Sequence, residues 1–292
     1  MAKIAIALEH AVSERALTGG PGHPAARVLA RGDGWSVEDV VCTSGPSDRP
    51  FEERHTRFSI AMVVAGSFQY CSAAGRDLMT PGSLLLGNAG QCFECGHQHG
   101  TGDRCISFGY APDHFERLAR DAGAKLDFPV LRLPPIRAMS PVIARACAGL
   151  NDSPAFPWEE LSTEVAARVV RLASGLSSNT TNAPAGAVAR VTNAVRMIER
   201  CPDREHTLGS LAGVAGLSPY HFLRTFQQLT GVTPHQFILR ARLREAALRL
   251  LQPARVLDIA LDCGFGDLSN FNRTFRAEFG VSPRIFRLRN RR

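Results

Sequence analysis

The hydrophobic pattern changes period along the chain. Up to about residue 110, apolar residues come in short β-like runs at 35–41, 57–64, 67–72, 83–86 and 104–110. Gly66, Gly75 and the pair Pro81-Gly82 punctuate them. Short strands closely spaced between turn residues predict a small antiparallel barrel or jelly roll. Helical spacing follows at 113–122 and 158–176, where Leu161, Val165, Val169 and Leu172 recur on one face. That face suits packing on a core or on a second copy of the chain. Residues 177–186 are small, polar and uncharged, without an apolar period, and read as a flexible linker. The chain therefore divides into a front domain (1–176), a linker (177–186) and a C-terminal domain (187–292).

The C-terminal part contains a repeat. Phe222, Arg224, Thr225, Phe226 and Gly231 return 49 residues later as Phe271, Arg273, Thr274, Phe275 and Gly280. Both copies run into a Gly-Val-x-Pro tetrad, Gly231 to Pro234 and Gly280 to Pro283. Each copy has the physics of a helix-turn-helix. In the first, Leu208, Leu211, Ala212 and Ala215 line a short helix, and Gly216 allows a tight turn. Ser218 caps the next helix with Pro219 at its first position. Phe222, Phe226 and Leu229 point inward, and Gly231 ends the helix. In the second, Val256, Ile259, Ala260 and Cys263 make the first helix, Gly264 turns and Asp267 caps. Phe271, Phe275 and Phe279 anchor the second helix. Residues 234–251 read as one long helix between the units, with Phe237, Ala241, Leu248 and Leu251 on one face and Arg240, Arg242, Arg244 and Arg249 around the rest. The expected fold class is α+β: a β-barrel front domain with flanking helices, then an all-α domain of two helix-turn-helix units bridged by a long helix.

Charge sharpens this picture. The chain carries a net +7, and residues 185–292 hold 17 arginines, no lysine and eight acids. The front part is nearly neutral. A basic domain joined to a neutral one fits a nucleic-acid reader attached to something else. The outward faces of the second helices offer Tyr220, His221, Leu223, Arg224, Gln227 and Gln228, then Leu268, Ser269, Asn270, Asn272 and Arg273. Arginine can bond guanine O6 and N7 together, asparagine can pair with an adenine edge, and an apolar tip can meet a thymine methyl. Ser218, His235, Arg240 and Arg284 are the expected phosphate contacts, which position a domain without reading sequence. Double-stranded DNA is thus the expected partner. No apolar run approaches the roughly 20 residues needed to cross a bilayer, and the expected location is the cytoplasm.

These residues carry a resemblance. The segment from about 188 to 287 resembles the DNA-binding domain of the AraC/XylS family of bacterial regulators. It does so through Leu208 to Ala215, Gly216-Leu217-Ser218, Phe222, Phe226, the first tetrad, Ile259-Ala260, Cys263-Gly264-Phe265, Phe271, Arg273, Phe275 and Phe279 to Pro283. The resemblance implies seven helices, base contacts on Tyr220, Leu223 and Arg224 and on Leu268, Ser269, Asn270, Asn272 and Arg273, and a cupin-like front domain that binds an effector or forms a homodimer. An activator would also meet RNA polymerase. One departure is Gly266-Asp267-Leu268, where the family often carries polar residues.

The front half adds one cluster. Cys92, Cys95, His97, His99 and Cys105 fall within 14 positions. Thiolate and imidazole suit zinc and similar metals, and Cys92 with Cys95 has a C-x-x-C spacing that also suits reversible disulfide chemistry. His55 could join from another strand. Against metal stands the ordinary alternative of small core cysteines beside a polar loop. The cupin metal pattern is incomplete, because His97-Gln98-His99 lacks its glutamate. The effector, a small molecule or a metal, and any cofactor stay open. The reading is a regulator and not an enzyme. Its rival is a thiol- or metal-dependent enzyme, a cupin oxygenase or an alkyl-transfer protein, fused to the same DNA-binding domain.

Overall fold

The computed structural model describes residues 3–150, 156–176 and 184–290. The fold is mixed α+β, with a sheet-rich front half and a helical C-terminal domain. Among the described residues, ten strands form two sheets. They are β1 (Pro24–Gly32), β2 (Trp35–Cys42), β3 (Phe51–Arg54), β4 (Phe58–Gly66), β5 (Phe68–Ser72), β6 (Gly75–Met79), β7 (Leu84–Gly87), β8 (Cys92–Gly96), β9 (Asp103–Tyr110) and β10 (Arg132–Leu133). The larger sheet runs β1-β2-β9-β4-β7-β10 and the smaller β3-β8-β5-β6. Every pairing is antiparallel.

The larger sheet is covered on both faces, so its strands lose the clean alternation of a half-solvated sheet. On one face Ala61, Val63, Leu85 and Cys105 meet Phe68, Tyr70 and Met79 of the smaller sheet. On the other, Val37, Ile60, Met62, Ile106 and Phe108 pack on helices α2 (Pro112–Asp121), α3 (Ser140–Gly149) and α4 (Trp158–Ser174). Leu161, Val165 and Val169 of α4 are buried there, with Trp158, Ala166, Val170 and Ala173 beside them, so the face expected on α4 serves the front domain's own core. Asp39, at an inward position of β2, is buried because Arg104 grips both its oxygens at 2.8 Å. Burial opposes that carboxylate's charge, but Arg104 and Arg27 outweigh it and hold its pKa below the ordinary value.

The first helix, α1 (Lys3–Thr18), was not expected from the pattern; neither were β1, β3, β6, β8, β10 and α3. α1 lies across the larger sheet, with Leu8 buried in its core. Of the expected linker, residues 177–183 lie outside the described residues, and a helix has already begun at Ala185.

Among its described residues the C-terminal domain has seven helices: α5 (Ala185–Arg200), α6 (Leu208–Val214), α7 (Pro219–Thr230), α8 (Pro234–Arg249), α9 (Val256–Asp262), α10 (Leu268–Phe279) and α11 (Pro283–Asn290). The local signals act as expected. Ser218 and Asp267 accept the backbone N–H groups of His221 and Asn270. Gly231 and Gly280 end their helices at φ 78° and 76°, where a side chain would be strained. Two further caps, Thr207 with Ser210 and Thr233 with Gln236, are reciprocal capping boxes.

The long helix α8 differs from the expected single apolar face. Its first half gives Phe237, Ile238 and Ala241 to the core of the first unit. Its second half gives Leu243, Ala246 and Ala247 to the core of the second, joined by Leu250 just past its end, and Leu248 packs on the front domain's core. The front domain returns the contact: Leu78 of β6 joins the first core and Ala144 of α3 the second. Leu208, expected inside, is 38% exposed at the start of α6.

Candidate nucleic-acid interface

The second helix of each unit, α7 or α10, presents its polar face outward because its aromatics are consumed by the core. Phe222, Phe226, Phe271 and Phe275 are fully buried. That leaves Tyr220, His221 and Arg224 exposed on α7, and Ser269, Asn270, Asn272 and Arg273 exposed on α10. Each arginine is steadied from one turn earlier on its own helix. Arg224 donates to the Tyr220 hydroxyl at 3.4 Å and lies 5.9 Å from the centre of that ring. Arg273 donates to Asn270 Oδ1 at 3.0 Å. These contacts limit the rotamers of the two guanidinium groups at equivalent places in the repeat. Leu223 is half-buried, and Leu268 leans on the second unit's core, which leaves less of Leu268 for a base edge than its position suggested.

The expected phosphate contacts divide. His235 and Arg284 are exposed. Ser218 is exposed, but its hydroxyl is occupied by His221, 2.8 Å from Nδ1. Arg240 is not available: its Nε donates to Glu278 at 3.1 Å and only 15% of its side chain is accessible. The other arginines of α8 are also used inside the molecule. Arg242 donates to the carbonyls of Pro202, Gly264 and Arg204 at 2.7, 2.8 and 2.9 Å. Arg244 pairs with Glu199 at 2.6 Å and Arg249 with Glu245 at 2.7 Å. Arg276 was missed in the sequence. It is exposed, occupies the place of Gln227 in the repeat, and shares a surface groove with Asn272, Arg273 and Arg284. The repeat offset could have found it. On the outward helices and α11, Arg224, Arg273, Arg276 and Arg284 are exposed, whereas the arginines of α8 are tied up in contacts within the molecule.

Both outward helices are also held by the front domain, near their C-terminal ends. Arg132 pairs with Asp77 at 3.1 Å and donates to the Thr230 carbonyl in the last turn of α7 at 2.8 Å. Ser140, at the start of α3, donates to Glu278 in the last turn of α10, the same carboxylate that Arg240 holds.

The cysteine and histidine cluster is rearranged. Cys92 is exposed, and Glu94 beside it faces the same way. Phe93, Cys95 and His97 alternate to the opposite face, and Cys105 is buried on β9. His99 is half-buried with Nε2 unsatisfied. His97 Nε2 donates to Asp103 Oδ1 at 2.6 Å, and Cys42, from β2, lies with them. The five residues expected together are thus not one set: Cys92 stands apart, and Cys42 and Asp103 belong.

His55 is engaged elsewhere. It stacks on Phe93 with ring centres 4.1 Å apart and is hydrogen-bonded to the Tyr70 hydroxyl at 2.8 Å. Burial lowers its pKa to about 4. The unfolded chain, with an ordinary histidine near 6.5, takes up this proton first as pH falls. Stability is then fully present above about pH 6.5 and is lost progressively toward pH 4. A loss of about 1–3 kcal/mol across that window is expected. Comparing melting of the wild type and His55→Gln between pH 7.5 and 4.5 checks it; equal pH dependence in both would remove His55 as the cause.

Comparison with known proteins finds helix-turn-helix relatives of the C-terminal domain. A family model described as a helix-turn-helix domain matches residues 211–289. The chain is 39% identical over 84 residues to the HTH-type transcriptional regulator Rv1931c of Mycobacterium tuberculosis, covering 28% of this chain and 32% of the relative. It is 37% identical over 100 residues to the HTH-type transcriptional activator RhaS of an Enterobacter strain, covering 34% and 36%. Among solved structures, a probable AraC family transcriptional regulator from Rhodopseudomonas palustris is 32% identical, covering 35% of this chain and 98% of that one, with a TM-score of 0.33. The chain spans about a third of the length of the curated relatives it matches. The enzyme alternative gains no support from these matches.

Proposed function

We propose that this chain, which belongs to the AraC/XylS family through its C-terminal domain, regulates transcription by setting α7 and α10 into successive major grooves of double-stranded DNA. The observation that carries this reading is the duplicated presentation of Arg224 and Arg273. Both are exposed, both are braced by a neighbour on their own helix, and both stand 49 residues apart in one repeat. α8 is about 24 Å long at 1.5 Å per residue. It serves as the spacer between two reading helices one DNA turn apart, about 34 Å. Tyr220, His221 and Leu223 in the first unit, and Ser269, Asn270 and Asn272 in the second, complete the base-facing sets. Arg276, Arg284 and His235 neutralise phosphates.

The front domain supplies the control. Its Arg132 and Ser140 reach the ends of both reading helices, so a signal bound there can act on both together. That signal, dimerisation, the encounter with RNA polymerase and a cytoplasmic location belong to the same proposal. No described helix is long and apolar enough to cross a membrane.

Binding of the full chain to its preferred sequence, selected from a randomised duplex library, tests the reading. Arg224→Ala and Arg273→Ala should each weaken that complex by about 1–3 kcal/mol and relax preference at one half-site only. Affinity for random DNA should change far less and should fall steeply with salt. Unchanged specificity in either variant would sink the placement of that helix.

A further inference from the structure

We propose that the front domain binds a divalent transition metal of the zinc class through Cys42, His97 and Asp103, with the Cys105 thiol holding the Asp103 carboxylate from behind. This site is independent of whether α7 and α10 bind DNA. It is also not the grouping suggested by closeness in sequence, which lacks Cys42 and Asp103.

Strand pairing builds the site. Cys42 is the last residue of β2 and lies directly across from Asp103, the first of β9. Cys105 is two positions further along β9, so its side chain leaves the strand on the same side as that of Asp103. His97 follows the last residue of β8, in the smaller sheet, and closes the group from across the sandwich. One donor atom each from Cys42, His97 and Asp103 all lie within 4.8 Å of one another, and all three residues are buried. The Asp103 carboxylate joins the group: Oδ1 is 2.6 Å from His97 Nε2 and Oδ2 is 3.4 Å from Cys105 Sγ.

The donor chemistry is that of zinc. Zinc takes thiolate sulfur at about 2.3 Å and imidazole nitrogen or carboxylate oxygen at about 2.0–2.2 Å, in tetrahedral sites. Donors around such an ion stand roughly 3.3–3.8 Å apart by that geometry. The three nearest groups need only small side-chain adjustments to reach it. A thiolate from Cys42 and the Asp103 carboxylate neutralise the dication, which removes the cost of burying a bare charge. Cys42, His97, Asp103 and Cys105 also line one cavity of about 590 Å³ that Cys95 and Phe68 share, so the place is reachable. On metal binding, the Cys42 thiol and the imidazole on the metal-facing nitrogen give up their protons to water, and no electron is transferred. A buried His–Asp pair needs no thiols around it. A buried cysteine brought to that pair from another strand, at position 42, is what the metal explains.

The test uses the full chain, stripped with a chelator and then titrated with zinc against a chromophoric indicator, or with cobalt(II) read by absorption. One equivalent per chain is expected, with a thiolate-to-cobalt charge-transfer band and visible bands of tetrahedral intensity. Cys42→Ser and His97→Ala should each weaken binding roughly 100-fold or more. Cys92→Ser, exposed on the other face, should bind as the wild type does. Zinc should raise the melting temperature of the wild type and leave that of His97→Ala unchanged. A substoichiometric metal content, a cobalt complex without the thiolate band, or Cys42→Ser binding as tightly as the wild type overturns the proposal. If either ligand variant fails to fold, the wild-type stoichiometry and the cobalt spectrum still decide it.

Discussion

Replacing Arg132 by methionine is expected to destabilise the folded protein by about 3–5 kcal/mol. Its side chain is 8% accessible and that of its partner Asp77 16%, so solvent cannot replace what is removed. Burial already pushes the Asp77 carboxyl up, and Arg132 is what opposes that shift. The variant strands a carboxylate inside the protein and leaves the Thr230 carbonyl without its donor. Adding Asp77→Asn should recover part of the loss, because the stranded charge disappears. Denaturant unfolding of the wild type, the single variant and the double variant measures both effects. A loss under about 1 kcal/mol, or no recovery in the double variant, would show that the pair contributes little.

Phe275→Ala is expected to cost a comparable 3–5 kcal/mol, the range for emptying a buried aromatic position. Phe275 is fully buried, with its ring 5.5, 4.4 and 5.4 Å from those of Phe271, Phe279 and Phe286. The informative part is its locality. The cores of the two helix-turn-helix units share no buried residue, because α8 serves them with different stretches. Phe275→Ala should therefore abolish reading of the second half-site while the first unit keeps its fold and its contacts. Footprinting on the full operator distinguishes this from general unfolding: protection should survive over one half-site. Loss of both together would mean that the units fold as one.

Much of the C-terminal domain was legible because its signals are local. Ser218, Asp267, Gly231 and Gly280 act on the backbone within a few residues, and the aromatic spacing repeats them a second time. What escaped depends on partners distant in sequence. Arg240 lies off the apolar face of α8 and looked free, yet Glu278, 38 residues on, covers it. Leu78 and Ala144 gave no sign that they would enter the cores of another domain. The metal-type cluster was half visible: β8 alternation separates Cys92 from His97, and only the register of β2 against β9 brings Cys42 to Asp103. In the front domain, the strands with strong apolar runs were recognisable. The edge strand β1 is largely solvent-facing and α1 has no single apolar stripe, so neither carried a clear period.

The rod of α8 and the two bonds from Arg132 and Ser140 have a consequence for the DNA. On the proposed reading the two helices are fixed in angle about the duplex as well as in distance. Each base pair inserted between half-sites turns one of them by about 34–36° relative to the other, from 10–10.5 base pairs per turn. Five extra pairs put the second half-site on the far side of the duplex. Ten restore its face but add a full turn of length that one rigid helix cannot span. The protein acts as a ruler, and its operators are defined as much by the gap between their words as by the words.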